Sequence, residues 1–158
     1  MSNKFRYRNK EDFNDEHAKA FYPSLTRYAR SKLALLLWTR ALQKRLTAEN
    51  VPIITLCLHP GTVDTEGNRR HMRDEVGPVR RSIYKFLAAT ILLDSSKGAT
   101  SSTFAASAPI VRAEADKYKG SYLNENGGFN KVPATGKDDA LTEEFMGTAE
   151  ALLKEIDV

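Results

Sequence analysis

The order of elements legible in the chain points to the α/β class, and four stretches carry that expectation. The segment from Leu25 to about Ala48 repeats apolar residues at helical spacing. Val51-Pro-Ile-Ile-Thr-Leu-Cys-Leu58 follows as a short apolar run that reads as one buried strand, and Pro60-Gly61 breaks it at once. A small-residue helix from Lys97 to Ala108 then precedes a second short strand at Lys119–Leu123.

The bounds agree with a globular chain. At 158 residues it has room for one domain, which at that size would bury about 68–70% of its unfolded surface. A hydrophobic content of 41% with mixed charges excludes a disordered segment. The net charge of +4 is mildly basic, but no stripe of basic residues interleaved with aromatics is visible, so no nucleic-acid partner is expected. Arg69-Arg70-His71-Met72-Arg73 and Arg80-Arg81 read instead as solvated loop faces. A single cysteine excludes an internal disulfide framework and suggests a reducing, cytoplasmic setting; within its apolar strand, Cys57 reads as a small buried hydrophobe. His17, His59 and His71 lack metal-ligand spacing, so no metal is assigned. The longest uninterrupted apolar run, Leu33 to Trp38, is far short of the roughly 18 residues a membrane span needs. The basic N-terminus has no apolar core and does not read as a secretory signal.

In chain order, residues 1–23 read as an irregular polar segment, with Ser24 suited to cap the following helix. That helix carries Leu25, Ala29, Leu33, Leu36 and Leu37 together with Leu35, Trp38, Ala41, Leu42 and Leu46, an apolar band too broad for one face. A helix apolar on two sides is expected to be buried on two sides. Beyond the Pro60-Gly61 turn, Gly67 to Gly77 is polar and basic, and Val79 to Leu93 reads as a helix. Asp94-Ser95-Ser96 is a helix start, and the helix it opens runs to Pro109. Leu141 to Ile156 closes the chain as a helix with Phe145, Leu152 and Leu153 on one side.

The chemistry is carried by Tyr28 and Lys32. Four residues apart on a helix, they share a face with Cβ atoms roughly 5–6 Å apart. A phenol holds its proton to a pH of about 10, and a nearby ammonium favours the phenolate and lowers that value. Tyr28 is thus a candidate proton donor or acceptor, with Lys32 as its tuning charge. The spacing alone would arise about half a time by chance, so the downstream strand and turn have to give it meaning. Ligands of open α/β sheets bind beyond the carboxyl ends of strands, where His59-Pro60-Gly61 falls, and Gly61 lets backbone approach a flat ring.

Tyr28-Ala-Arg-Ser31-Lys32 resembles the Tyr-x-x-Ser-Lys site of the short-chain dehydrogenase/reductase family. His59-Pro60-Gly61-Thr62-Val63-Asp64-Thr65 resembles that family's nicotinamide-side loop. The likeness covers roughly residues 10 to 125 and is nearest to the branch similar to retinol dehydrogenases. It implies the C-terminal part of a Rossmann-type doubly wound parallel sheet, lacking the N-terminal cofactor-binding strands. Residues 1–158 would then form a single partial NAD(P)-binding domain. It also implies catalytic roles for Tyr28 and Lys32, and a cofactor, NADP or NAD, bordered by Tyr28, Lys32, Pro60, Gly61, Thr62, Val63 and Thr65. Residues 66–93 would be the substrate lid. The partner would be a small-molecule carbonyl or alcohol, with homo- or hetero-oligomerisation through the helix at 25–48. No Gly-rich strand–turn–helix occurs anywhere in the sequence, since no Gly precedes Gly61 and Gly127-Gly128 lies near the end. Two functions follow: a dehydrogenase or reductase that is incomplete as the chain stands, or an inactive truncated paralogue that docks onto a full-length relative.

Overall fold

A 26-residue helix, α2 (Pro23–Ala48), is the longest element of the molecule. The structure, a computed structural model, describes residues 5–14, 23–66, 69–70, 77–78, 82, 86 and 92–156. Proline is favoured in a helical first turn because its missing N–H would have had no partner there. The helix therefore begins one residue before Ser24, which falls inside the first turn and not at the cap expected of it. The described residues also include α1 (Glu11–Asn14), β1 (Cys57–Leu58), α3 (Ser95–Gly98), α4 (Thr100–Ser107), α5 (Pro109–Ala113), α6 (Ala115–Tyr118), β2 (Tyr122–Leu123), a 3₁₀ turn (Ala134–Lys137) and α7 (Asp139–Glu155). Residues divide into two compact units: 1–57 with 115–122 and 131–158, and 58–114 with 123–130.

In the first unit, one side of α2 packs against α7. Tyr7, Leu33, Leu37, Leu141 and Phe145 form the buried cluster, bordered by Phe5, Phe13, Ala34, Met146 and Ala149. Within the segment expected to be irregular, α1 forms a helical turn and Tyr7 enters the core with no exposed surface. Its hydroxyl donates to the Arg30 carbonyl at 2.7 Å, and its N–H donates to Glu144 Oε1 at 2.6 Å. The Asp138 carboxylate caps α7 by accepting the Leu141 N–H at 3.1 Å, satisfying a donor that the helix itself cannot. The second apolar face of α2 does not share this burial. Leu35 is 52% exposed and Trp38 45% exposed, so the expectation of burial on both sides is corrected.

The Val51–Leu58 segment also departs from the strand expected of it. Only Cys57–Leu58 is strand, and residues 51–58 are half-buried or exposed. The cause is a glutamine. Gln43 on α2 accepts the Thr55 N–H through Oε1 at 2.6 Å and donates Nε2 to the Ile53 carbonyl at 3.3 Å. These side-chain bonds take the place of a ladder on that side. Pairing with the 120–123 segment is parallel: Gly120 N–H donates to Thr55 O, and Cys57 N–H donates to Ser121 O. Among the described residues the sheet has just these two strands. Cys57 is half-buried, and its thiol is hydrogen-bonded to Thr39 Oγ1 at 3.0 Å.

In the second unit, His59 N–H continues the parallel pairing by donating to Leu123 O at 2.9 Å. Leu93 forms a parallel bridge with Val63, donating its N–H to Thr62 O and accepting the Asp64 N–H. Leu93 is therefore extended, not the last residue of a helix; the rest of the helix expected over Val79–Leu93 lies largely outside the described residues. Asp94 caps α3 as expected, its carboxylate accepting the Ser96 N–H at 2.8 Å and held below its usual titration range by Ser96. The long helix expected up to Pro109 is instead divided, α3 giving way to α4 at Ala99. Pro109 opens α5, again at a first-turn position that suits it. Small residues do allow close approach here, since a Cβ on Gly98 would sit 2.6 Å from Val63 Cγ2. The 124–128 turn is closed by Asn124, whose Oδ1 accepts from the N–H groups of Asn126 and Gly128, each at 3.0 Å.

Candidate active site

In the first unit, α2 carries Tyr28 and Lys32 one turn apart, and helical geometry alone brings them together. Lys32 Nζ lies 5.3 Å from the centroid of the Tyr28 ring. At that distance an ammonium is attracted to the face of an aromatic ring. The Tyr28 side chain is 60% exposed, open to a molecule arriving from solvent. Ser31, between them, turns its hydroxyl back onto the helix and donates to the Tyr28 carbonyl at 2.8 Å. The pair can give or take a proton at the phenol while a fixed positive charge sits within one helical turn.

In the second unit, the chain leaves β1 and turns through His59-Pro60-Gly61. Gly61 has φ of +80°, a conformation that side chains rarely adopt. A Cβ there would lie 2.6 Å from Leu93 Cδ1 and 3.3 Å from Glu125 Cβ. Glycine is thus demanded twice, by backbone angle and by space. The turn is closed by a side chain: the Gly61 N–H donates to His59 Nδ1 at 2.9 Å. Beside it lies a cavity of about 530 Å³ lined by His59, Gly61, Thr62, Leu93, Lys97, Thr100, Glu125 and Asn126. That volume falls within the range of roughly 300–1,000 Å³ typical of small-molecule sites.

Of the residues expected at the site, Tyr28 and Lys32 meet on α2, and Gly61 and Thr62 meet in the cavity. Tyr28 and Lys32 belong to the first unit, and residues 60–65 to the second. Pro60 and Thr65 are exposed and outside the cavity lining, while Val63 lies against Gly98. Lys97, Thr100, Glu125 and Asn126 escaped sequence reasoning. They join Gly61 from more than 30 positions away, and no local spacing encodes that. His59 is visible in the motif that ends the strand, and its i to i+2 relation to Gly61 is the local signal for the bond it makes. Among the described residues no cluster of His, Cys, Asp or Glu could hold a metal ion, and no helix is long and apolar enough to cross a membrane. Burial pushes the Cys57 thiol up, while its bond to Thr39 pulls the other way.

No family model matches the chain, and no solved structure matches it. Curated relatives do. A short-chain dehydrogenase/reductase of Armillaria gallica is 28% identical over 152 residues, covering 96% of this chain and 47% of that protein. A short chain dehydrogenase/reductase of Macrophomina phaseolina is 32% identical over 132 residues, or 84% of this chain and 61% of the relative. Human retinol dehydrogenase 14 is 32% identical over 115 residues, or 72% of this chain and 32% of its own length. The chain thus spans about half the length of the first two relatives, and a third of the last.

Proposed function

We propose, because the chain belongs to the short-chain dehydrogenase/reductase family, that it carries the proton-transfer and nicotinamide-side parts of an oxidoreductase. The family implies a Rossmann-like α/β fold, with which the helices and the small parallel sheet are compatible. Residues 1–158 are read as one partial dinucleotide-binding domain in a cytoplasmic protein, with 66–93 bordering the substrate. The reaction is hydride transfer between NAD or NADP and a small-molecule carbonyl or alcohol. The observation that carries this reading is the approach of Lys32 Nζ to the Tyr28 ring at the head of α2.

The residues present fit a nicotinamide in one respect that is independent of the relatives. The cavity of about 530 Å³ beside Gly61 is of small-molecule size and carries the hydroxyl and amide groups of Thr62, Thr100 and Asn126, while the place of the missing Gly61 Cβ is taken by Leu93 and Glu125. A bound nicotinamide supplies or accepts the hydride. In reduction, Tyr28 gives its hydroxyl proton to the substrate oxygen; in oxidation, its phenolate takes the proton from the alcohol. Lys32, one turn from Tyr28, would offer ammonium N–H donors to ribose hydroxyls. Gly61 and Thr62, which line the cavity, would border the ring, and Pro60, Val63 and Thr65 belong to the same loop. The 158 residues contain no Gly-rich turn to hold a pyrophosphate, so the dinucleotide-binding part of the reading is incomplete.

The test is turnover of carbonyl substrates with NADH and NADPH, compared between wild type and Tyr28→Phe. General acid–base catalysis contributes roughly 10²–10⁴-fold, so the variant should lose at least about 100-fold in kcat while cofactor affinity stays near wild type. Equal turnover in the two proteins would remove Tyr28 from its role. A second reading is favoured by exposed Leu35 and Trp38, which give α2 an apolar outer face. On that reading the chain is a non-catalytic partner of a full-length relative. Failure to bind either cofactor, together with a stable complex with such a relative, would support it.

A further inference from the structure

The loop that follows β1 is held by a titratable side chain. His59 Nδ1 accepts the Gly61 N–H at 2.9 Å, and Pro60 between them has no N–H to compete for it. An imidazole nitrogen can accept only while it carries no proton; in the imidazolium both nitrogens are donors. The bond therefore exists in neutral His59 and is lost when His59 is protonated. Imidazoles commonly gain that proton between about pH 5 and 8. The 124–128 turn, which gives Glu125 and Asn126 to the cavity, shows the same closure made without a titratable group. Asn124 Oδ1 accepts the Asn126 N–H two residues on, at 3.0 Å. That is the turn by which Asn side chains commonly fix a loop. The charged groups sharing the cavity with His59 are Lys97 of α3 and Glu125 of the 124–128 turn.

We propose that His59 is a positioning residue for the nicotinamide-side loop: its neutral ring holds Gly61 at positive φ, and its protonation releases the loop. The claim about nicotinamide rests on the function proposed above; the claim about the brace does not. Gly61 lines the cavity and lets Leu93 and Glu125 close against it, so an unbraced Gly61 N–H makes that wall, and with it the ring's seat, less defined. Affinity for the nicotinamide end should then fall as pH drops through the His59 titration. The step involves one proton, taken by His59 Nδ1 from solvent, and no other bond changes.

Two measurements on the full chain test this. In the first, ¹⁵N spectra follow the His59 ring and the Gly61 amide across pH. Neutral His59 should be the Nε2–H tautomer, and the Gly61 amide shift and exchange protection should change along the His59 titration curve. His59→Asn, which can make the same i to i+2 bond, should keep Gly61 protected and abolish the pH dependence. His59→Ala should lose the protection at every pH. A Gly61 amide indifferent to His59 protonation, or equally protected in His59→Ala, would overturn the proposal. The second measurement titrates reduced nicotinamide mononucleotide, which has no adenosine half. Its Kd for the wild type should rise roughly fivefold on His59 protonation, the scale of one hydrogen bond, and stay flat in His59→Asn. Parallel pH profiles in those two proteins would overturn the positioning role. If the mononucleotide binds neither protein while Gly61 still follows His59, the brace stands and the nicotinamide reading falls.

Discussion

Tyr7 shows how one side chain can anchor a segment. Its ring lies 5.4 Å from Phe13 and 5.2 Å from Phe145, centroid to centroid, with the Arg30 guanidinium carbon 4.7 Å above it. Burial outweighs the nearby Arg30 charge and the phenol is pushed up to about 12. The unfolded chain gives up this proton near 10, so between those values the folded state holds the proton and the unfolded state does not. Stability from this group is therefore complete below about pH 10 and falls as pH rises through about 12, a loss of roughly 2–3 kcal/mol. Urea unfolding at pH 9 and pH 11 should show about half of that fall, and Tyr7→Phe should flatten it. The same variant should cost about 1 kcal/mol at neutral pH, because it leaves the Arg30 carbonyl without the Tyr7 hydroxyl. At this scale the Tyr28–Lys32 pair was legible in the sequence, since i and i+4 meet on any helix. Tyr7 was not: nothing within residues 1–23 says that a tyrosine there will meet a phenylalanine 138 positions away.

Among the elements, α2 and α7 were read nearly to their ends, because a long apolar period and a suitable cap are local properties. The start of α2 moved to Pro23, and Asp138 proved to be the cap of α7. Asp138→Ala should cost about 1 kcal/mol, since it removes the partner of the Leu141 N–H. Leu37→Ala, within the shared core of α2 and α7, should cost about 2–5 kcal/mol through the cavity it leaves. Thermal melts of both variants should rank them in that order, and the reverse ranking would contradict the assignment of the core. The apolar run at 51–58 misled because composition registers the wish to be buried but not the number of neighbours available. Gln43, a polar residue on a helix, decided how the strand's backbone would be satisfied, and no periodicity announces such a bond.

For the whole molecule, composition and element order gave the α/β class, while the cavity beside Gly61 was out of reach because its walls come from three distant stretches. The missing pyrophosphate turn has a measurable consequence on the proposed function. Adenosine and pyrophosphate should add little to binding, so NADH and reduced nicotinamide mononucleotide should bind this chain within a few-fold of each other in fluorescence titrations. A dinucleotide bound 100-fold tighter would mean that these residues hold the other half of the cofactor by a route the sequence does not advertise. The two-stranded ladder has a consequence of its own. Cys57–Leu58 is joined along one flank, and among the described residues no strand lies on the other. Of the two strand residues only Leu58 turns its amide that way, since the Cys57 and His59 amides donate to β2 and Pro60 has none, so that flank offers an outside strand a single donor.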